Sequence, residues 1–169
     1  MRTAHRILAL ALMSAAFVAV APAAQARTDA SFMKAAAHAG AAEIEASRLA
    51  QTKAKNAEVK AFADKMVTAH AQVADELKVL ATSKSVKLPD GPSMGQKAEI
   101  KLIDAGDNDK FDERYAQHFG VKAHEDAIKL FEEAAKSAKD ADVKAWAAKT
   151  LPGLKEHLTM TQALPVLKK

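Results

Sequence analysis

Ala54-Lys55-Asn56-Ala57-Glu58-Val59-Lys60-Ala61-Phe62-Ala63-Asp64-Lys65 returns 84 residues later as Ala138-Lys139-Asp140-Ala141-Asp142-Val143-Lys144-Ala145-Trp146-Ala147-Ala148-Lys149. Eight of the twelve positions are identical, and exchanges of Asn for Asp, Glu for Asp and Phe for Trp account for three more. Each copy closes one long stretch of helical periodicity and opens another, with Asn56 or Asp140 placed to cap the second helix. A repeated helical hairpin implies two hairpins packed on each other, the plan of an all-α four-helix bundle.

Outward from the two turns, four long helices are predicted. The first runs from about Asp29, read as its N-cap, to Lys53, with Phe32, Ala36, Ala39, Glu43, Ala46 and Ala50 on one stripe. The second runs from Asn56 to about Lys84 along Val59, Phe62, Met66, His70, Val73, Leu77 and Leu80. The third covers about Asn108 to Ser137, its inner face marked by Phe111, Tyr115, Val121, His124, Ile128, Phe131 and Ala135. The fourth, Asp140 to about Leu164, carries Val143, Ala147, Thr150, Leu154, His157, Thr161 and Leu164. Pro152 lies inside it, and a bend is expected near Ala148 to Pro152 because proline removes a backbone bond and crowds the preceding turn.

The link between the hairpins, Ser85 to Asp107, is long for a simple turn. Leu88-Pro89-Asp90-Gly91-Pro92-Ser93 breaks the second helix, and Ser93 can cap a short helix over Met94 to Asp104. The second helix is roughly 40 Å long at 1.5 Å per residue. A link of this length carries the chain back along the bundle, so that the third helix runs parallel to the second. That is the one-crossover connection of ferritin-like folds.

The N-terminus has the pattern of a secretory signal. Arg2, His5 and Arg6 are basic, Ile7 to Val20 is uncharged, and Ala24-Gln25-Ala26 supplies a small-residue cleavage site. Residues 1–26 are therefore expected to be removed, leaving one domain, 27–169, that is exported or periplasmic and at most peripheral to the outer membrane. Without Arg2 and Arg6 the 25 basic residues become 23 against 21 acidic ones, a net of +2 rather than +4. Such a balanced surface, with one Tyr and one Trp in the chain, has neither the charge nor the stacking platform of a nucleic-acid binder. There is no cysteine, hence no disulfide or thiolate site. No transmembrane segment is expected after cleavage, and the Lys-rich outer faces read as solvated surface.

Four polar residues interrupt the four apolar stripes: Glu43, His70, His124 and His157. Counted from the two turns, Glu43 lies level with His70 and His124 level with His157, all near mid-bundle. The two levels differ by about one helical turn, roughly 5 Å. Three imidazoles and a carboxylate converging in a bundle are a sensible ligand set for one transition metal ion: Zn, Mn, Fe or Cu. The competing reading makes them a buried, hydrogen-bonded network that fixes helix register, satisfied by Thr150, Thr161, Tyr115 or Glu43 itself. His38 and His118 read as boundary or surface positions. No glycine-rich phosphate loop, cysteine nucleophile or paired catalytic carboxylate is recognisable, so the chain reads as non-enzymatic.

Several stretches together carry a family likeness: the segment Phe32 to Leu49 with its Ala-Glu-Ile-Glu, and Val59-Lys60-Ala61-Phe62-Ala63-x-x-Met66-Val67-x-x-His70. To these add Phe111-Asp112-x-x-Tyr115, His124 with Leu130-Phe131-Glu132, and Leu151-Pro152-x-Leu154-x-x-His157-Leu158. With the signal segment, they resemble domain-of-unknown-function family 4142, exported bacterial proteins often labelled outer-membrane proteins. The resemblance spans nearly the whole mature chain and implies a ferritin-like bundle without an established activity. Members often place an acidic residue just before the histidines matching His70 and His124, where this chain has Ala69 and Ala123. Ferritin-like di-iron sites need Glu-x-x-His on each of two helices. Here Val67 precedes His70 by three residues and Leu154 precedes His157 by three, which counts against an oxidase. The alternative to metal binding is a non-catalytic, stress-related envelope module whose core histidines are structural and whose partner is an envelope protein.

Overall fold

Asn56 and Asp140, the two repeat positions, both do what their chemistry suggests. A computed structural model describes residues 28–168; the predicted signal segment, residues 1–26, lies outside the described residues. Asn56 Oδ1 accepts from the backbone of Glu58 and Val59 at 2.8 and 3.2 Å and starts α2 (Ala57–Ser83). Asp140 Oδ1 accepts from Asp142 and Val143 at 2.9 and 3.2 Å and starts α6 (Ala141–Ala163). Ser93 opens α3 (Met94–Ala105) in a reciprocal capping box with Gln96. After a 3₁₀ turn (Asn108–Lys110), α4 (Phe111–Tyr115), a π-helical stretch (Ala116–Lys122) and α5 (Ala123–Ser137) follow with helical backbone throughout, as one rod. The described residues are helical, with no strand among them, and none of their helices is long and apolar enough to cross a membrane.

One expected cap is different. Thr28, not Asp29, caps α1 (Asp29–Lys53), its Oγ1 accepting from Ser31 N at 3.2 Å. Asp29 is thereby released for another task. Its carboxylate accepts from the backbone N–H groups of Lys139 and Asp140, at 3.1 and 2.7 Å, at the turn of the other hairpin. Asp112 does the same for the first hairpin, accepting from Lys55 N at 3.1 Å and Asn56 N at 2.7 Å. Each hairpin thus clasps the turn of the other through a charge-assisted bond.

Helix directions follow from side-chain register. Along α2, Lys65, Glu76 and Lys84 meet Glu156, Lys149 and Asp142 of α6 in descending order, so these helices are antiparallel. Along α1, Phe32, Glu43 and Ser47 meet Phe131, His124 and Tyr115, again in descending order. Since α5 and α6 form a hairpin, the α4–α5 rod runs parallel to α2, and the link through α3 spans the bundle. Contacts run around a square, α1 to α2 to α6 to α5 and back to α1. The alanine stripe of α1 (Ala36, Ala42, Ala46, Ala50) is buried and lets neighbouring helices approach closely. Pro152 does not interrupt α6: Pro152 and Ala148 both face solvent, where water can take the bond the proline cannot.

The core divides into two apolar clusters, one at each end of the bundle. They are related by the repeat. Phe32, Phe131 and Trp146 pack together with ring centroids 5.1–6.0 Å apart. Tyr115, Ser47 and Phe62 occupy the equivalent places at the other end, where the Tyr115 hydroxyl meets Ser47 Oγ at 2.8 Å and the Phe62 ring lies 6.2 Å away. The equivalence exposes a one-residue discrepancy. Asp29 and Phe32 correspond to Asp112 and Tyr115 at an offset of 83, whereas Ser47 and Asn56 correspond to Phe131 and Asp140 at 84. The extra residue falls within the rod, between Tyr115 and Phe131. The π-helical stretch lies in that interval, and a π-turn, closing i to i+5, holds one residue more than an α-turn.

Gly120 lies in that stretch against α6. A Cβ there would stand 2.1 Å from Thr161 Cγ2. Gly120→Ala is expected to lower stability by roughly 1–3 kcal/mol through overpacking, read as a lower urea midpoint. Asp112→Ala is expected to cost about 1–3 kcal/mol by removing the charged acceptor of the Lys55 and Asn56 N–H groups, read the same way.

Candidate metal centre

Each helix of the square contributes one polar residue to the middle layer: Glu43 from α1, His70 from α2, His124 from α5 and His157 from α6. All four are buried, His124 completely. The three histidines converge. Their ring centroids form a near-equilateral triangle with sides of 5.3–5.4 Å. One ring nitrogen from each lies within 4.8 Å of the other two, and His70 Nε2 is 3.4 Å from His124 Nε2. Two nitrogens bound tetrahedrally to one zinc at about 2.05 Å would stand roughly 3.3–3.4 Å apart. The three buried imidazoles are thus able to hold a metal ion.

The π-helical stretch orients His124. In it the amide of Ala123 reaches back to the carbonyl of His118, five residues away. The neighbouring Phe119 carbonyl accepts from His124 Nδ1 at 2.9 Å. With the proton on Nδ1, the Nε2 lone pair of the neutral ring points at His70.

Glu43 stands beside this triangle rather than at its centre. Its Oε1 lies 3.7 Å from His124 Nδ1, too far for a hydrogen bond, and its Oε2 is buried without a partner. His157 Nδ1 is likewise buried and unpartnered. The hydroxyls expected to satisfy the histidines are engaged elsewhere. Thr150 donates to Trp146 O at 2.9 Å, Thr161 to His157 O at 3.0 Å, and Tyr115 bonds Ser47. A small cavity of about 30 Å³ adjoins the cluster, lined by Glu43, His70 and His124 with Val73, Phe131 and Leu154 among the apolar residues. That is room for about one or two water-sized spheres.

Burial sets the charge states. Desolvation, then the neighbouring His124 and His157, pushes the His70 imidazole down to about 3. Desolvation, followed by His124, pushes His157 down to about 4. His124 is lowered by burial against the opposing pull of the Phe119 and Gly120 carbonyls. Glu43 is raised well above the carboxylate range, first by burial and then by the nearby Glu99. Near neutral pH the three imidazoles are therefore neutral, with His70 Nε2 and His124 Nε2 within hydrogen-bond distance of each other, beside a carboxyl whose proton burial favours.

The family profile described as "Domain of unknown function (DUF4142)" matches residues 15–164. The chain belongs to that family. No curated protein and no solved structure matches the chain. For a DUF4142 protein, then, the chemistry has to be read from the side chains themselves.

Three features of this DUF4142 protein were not foreseen from its sequence: the π-helical stretch and the partners of His118 and His38. The π-helical stretch was expected to be plain helix, although the shift from 83 to 84 in the repeat marks it. His118, read as boundary or surface, pairs through Nδ1 with Glu99 Oε1 of α3 at 2.9 Å. His38, half-buried, bonds the Gly91 carbonyl at 2.8 Å and holds the interhelical link to α1.

The charge states imply an acid-sensitive fold. Between about pH 6.5 and 4 an unfolded imidazole takes a proton that the buried ones refuse, so the unfolded state binds more protons and stability falls with pH. Glu43 opposes this above about pH 4.3, being the one group whose folded form keeps its proton. With three histidines against one carboxyl, the urea midpoint of metal-free protein is expected to be lower at pH 5 than at pH 7. His70→Gln should flatten that slope.

Proposed function

We propose that this protein is an exported, periplasmic bundle of ferritin-like topology that binds a single transition-metal ion in its core. His70, His124 and His157 are the direct ligands, and Glu43 supplies the adjoining carboxylate. The observation that carries this reading is the pair of stranded groups, His157 Nδ1 and Glu43 Oε2, around three neutral imidazoles. A purely structural network would be expected to satisfy its buried atoms. Here the available hydroxyls turn away, and a cation supplies the partner that is missing.

Three imidazoles and one carboxylate suit Zn, Mn, Fe or Cu. A cation beside Glu43 would favour its charged form, against the burial that favours its proton. One carboxylate falls short of the four that ferritin-like di-iron sites use, so the reading is of one-metal binding or buffering rather than di-iron oxidation. Export is supported by the Ala24-Gln25-Ala26 cleavage pattern after the uncharged run from Ile7 to Val20.

Elemental analysis of protein purified without chelator tests the proposal. One equivalent of one of these metals is expected, lost in His124→Ala. Saturation at a hundred times Kd should raise the unfolding free energy by about 2.7 kcal/mol. Absence of stoichiometric uptake of all four metals, with His124→Ala only less stable, would make the cluster scaffold and the protein a structural envelope module.

A further inference from the structure

Outside the histidine cluster, a groove of about 340 Å³ lies over α1, α3, the π-helical stretch and α5. Its polar walls are Glu99 and Gln96 from α3, with His118, Lys122 and Asp126 from the rod, and Glu43 reaches it from below. Three residues line both this groove and the small inner cavity: Ala39, Glu43 and Ala127. Two are alanines, so the partition is thin, and Glu43 is its polar member. The Glu43 side chain is almost fully buried, with Oε2 unpartnered, and Glu99 is near enough to raise its proton affinity.

We propose that this groove is the path by which a divalent cation reaches the core, with Glu99 and His118 as its outer landing ligands and Glu43 as the carboxylate that hands it to the histidines. The proposal rests on the metal-binding reading above. A path for a cation needs oxygen or nitrogen donors at successive depths, and the groove has them. Glu99 and His118 form the outer pair, 2.9 Å apart with side chains 36% and 44% exposed. Glu43 follows at the partition, and the imidazoles lie behind it. Lys122, the groove's one lysine, is drawn to Asp126 at 2.6 Å, leaving Glu99 to face the incoming ion with His118. The chemistry selects a small cation. A larger organic ligand would meet Ala39 and Ala127 with no further room than the 30 Å³ behind them.

The landing ligands have no place in the final coordination, so they control rate and not occupancy. Stopped-flow absorbance with Co²⁺ as the probe, on chelator-stripped protein, separates the two. In the Glu99→Gln, His118→Ala double variant the association rate is expected to fall about tenfold or more, as the local attraction for the ion is lost. The final visible spectrum and the one-to-one stoichiometry should equal those of the wild type. An unchanged rate would overturn the path while leaving the core site intact. A changed final spectrum would make Glu99 or His118 a permanent ligand and overturn the landing role. Wild-type protein that takes up no Co²⁺ would overturn the core site, and the path with it. Ala39→Leu, which narrows the partition without touching a donor, is expected to slow loading as well, and loading at the wild-type rate in that variant would also overturn the path.

Discussion

The hydrogen bond from His124 Nδ1 to the Phe119 carbonyl is the interaction on which the middle of this bundle depends. A carbonyl in a straight α-helix is committed to the amide four residues ahead, and is poorly placed to accept from a side chain five residues on. The π-helical stretch of Ala116 to Lys122 widens the turn and presents Phe119 O to the ring. That bond fixes the tautomer and the direction of Nε2, and so decides whether the third rod offers a donor to the bundle centre. Gly120 is part of the same arrangement, because only a residue without a side chain fits between the widened turn and Thr161.

Around this layer the packing is conventional. Two apolar clusters, one rich in Phe and Trp and one built on Tyr115, Phe111 and Phe62, close the bundle above and below the polar residues. Ionised groups would be costly at such depth, and burial pushes each group toward its neutral form, the imidazoles down and Glu43 up. Neutrality does not satisfy Glu43 Oε2 or His157 Nδ1, which are buried without a hydrogen-bond partner.

The duplication explains the frame but not the site. The reciprocal clasps by Asp29 and Asp112, the paired caps at Asn56 and Asp140 and the aromatic layers all repeat. The histidines do not. At the 84-residue offset His70 corresponds to Leu154 and His157 to Val73, and both apolar counterparts line the small cavity beside the cluster. Each hairpin has placed a histidine where the other keeps an aliphatic residue. The polar cluster is thus asymmetric on a scaffold whose frame repeats, and the added residue of the π-helical stretch is a further departure.

Much of this was legible in the chain. Helical periodicity, two capping residues in a repeated motif and a long Pro- and Gly-broken link determine the helices, the hairpins and the crossover, because each is a local consequence of backbone and side-chain chemistry. That Glu43, His70, His124 and His157 are buried polar residues was legible too, since a polar residue on an apolar stripe stands out by position alone. What only the tertiary structure decided is their relation at ångström scale. Counting from the turns left the two pairs about a turn apart, and could not say that three rings close a triangle while the carboxyl stands to one side. Nor did periodicity reveal that Asp29 and Asp112 reach across to the opposite turns, or that Glu99 meets His118 above Glu43. Sequence spacing resolves a helix to within a residue or two, roughly 1.5–3 Å along its axis. A metal centre is decided within a few tenths of an ångström, by the twist of a single turn and the packing of one rod against another.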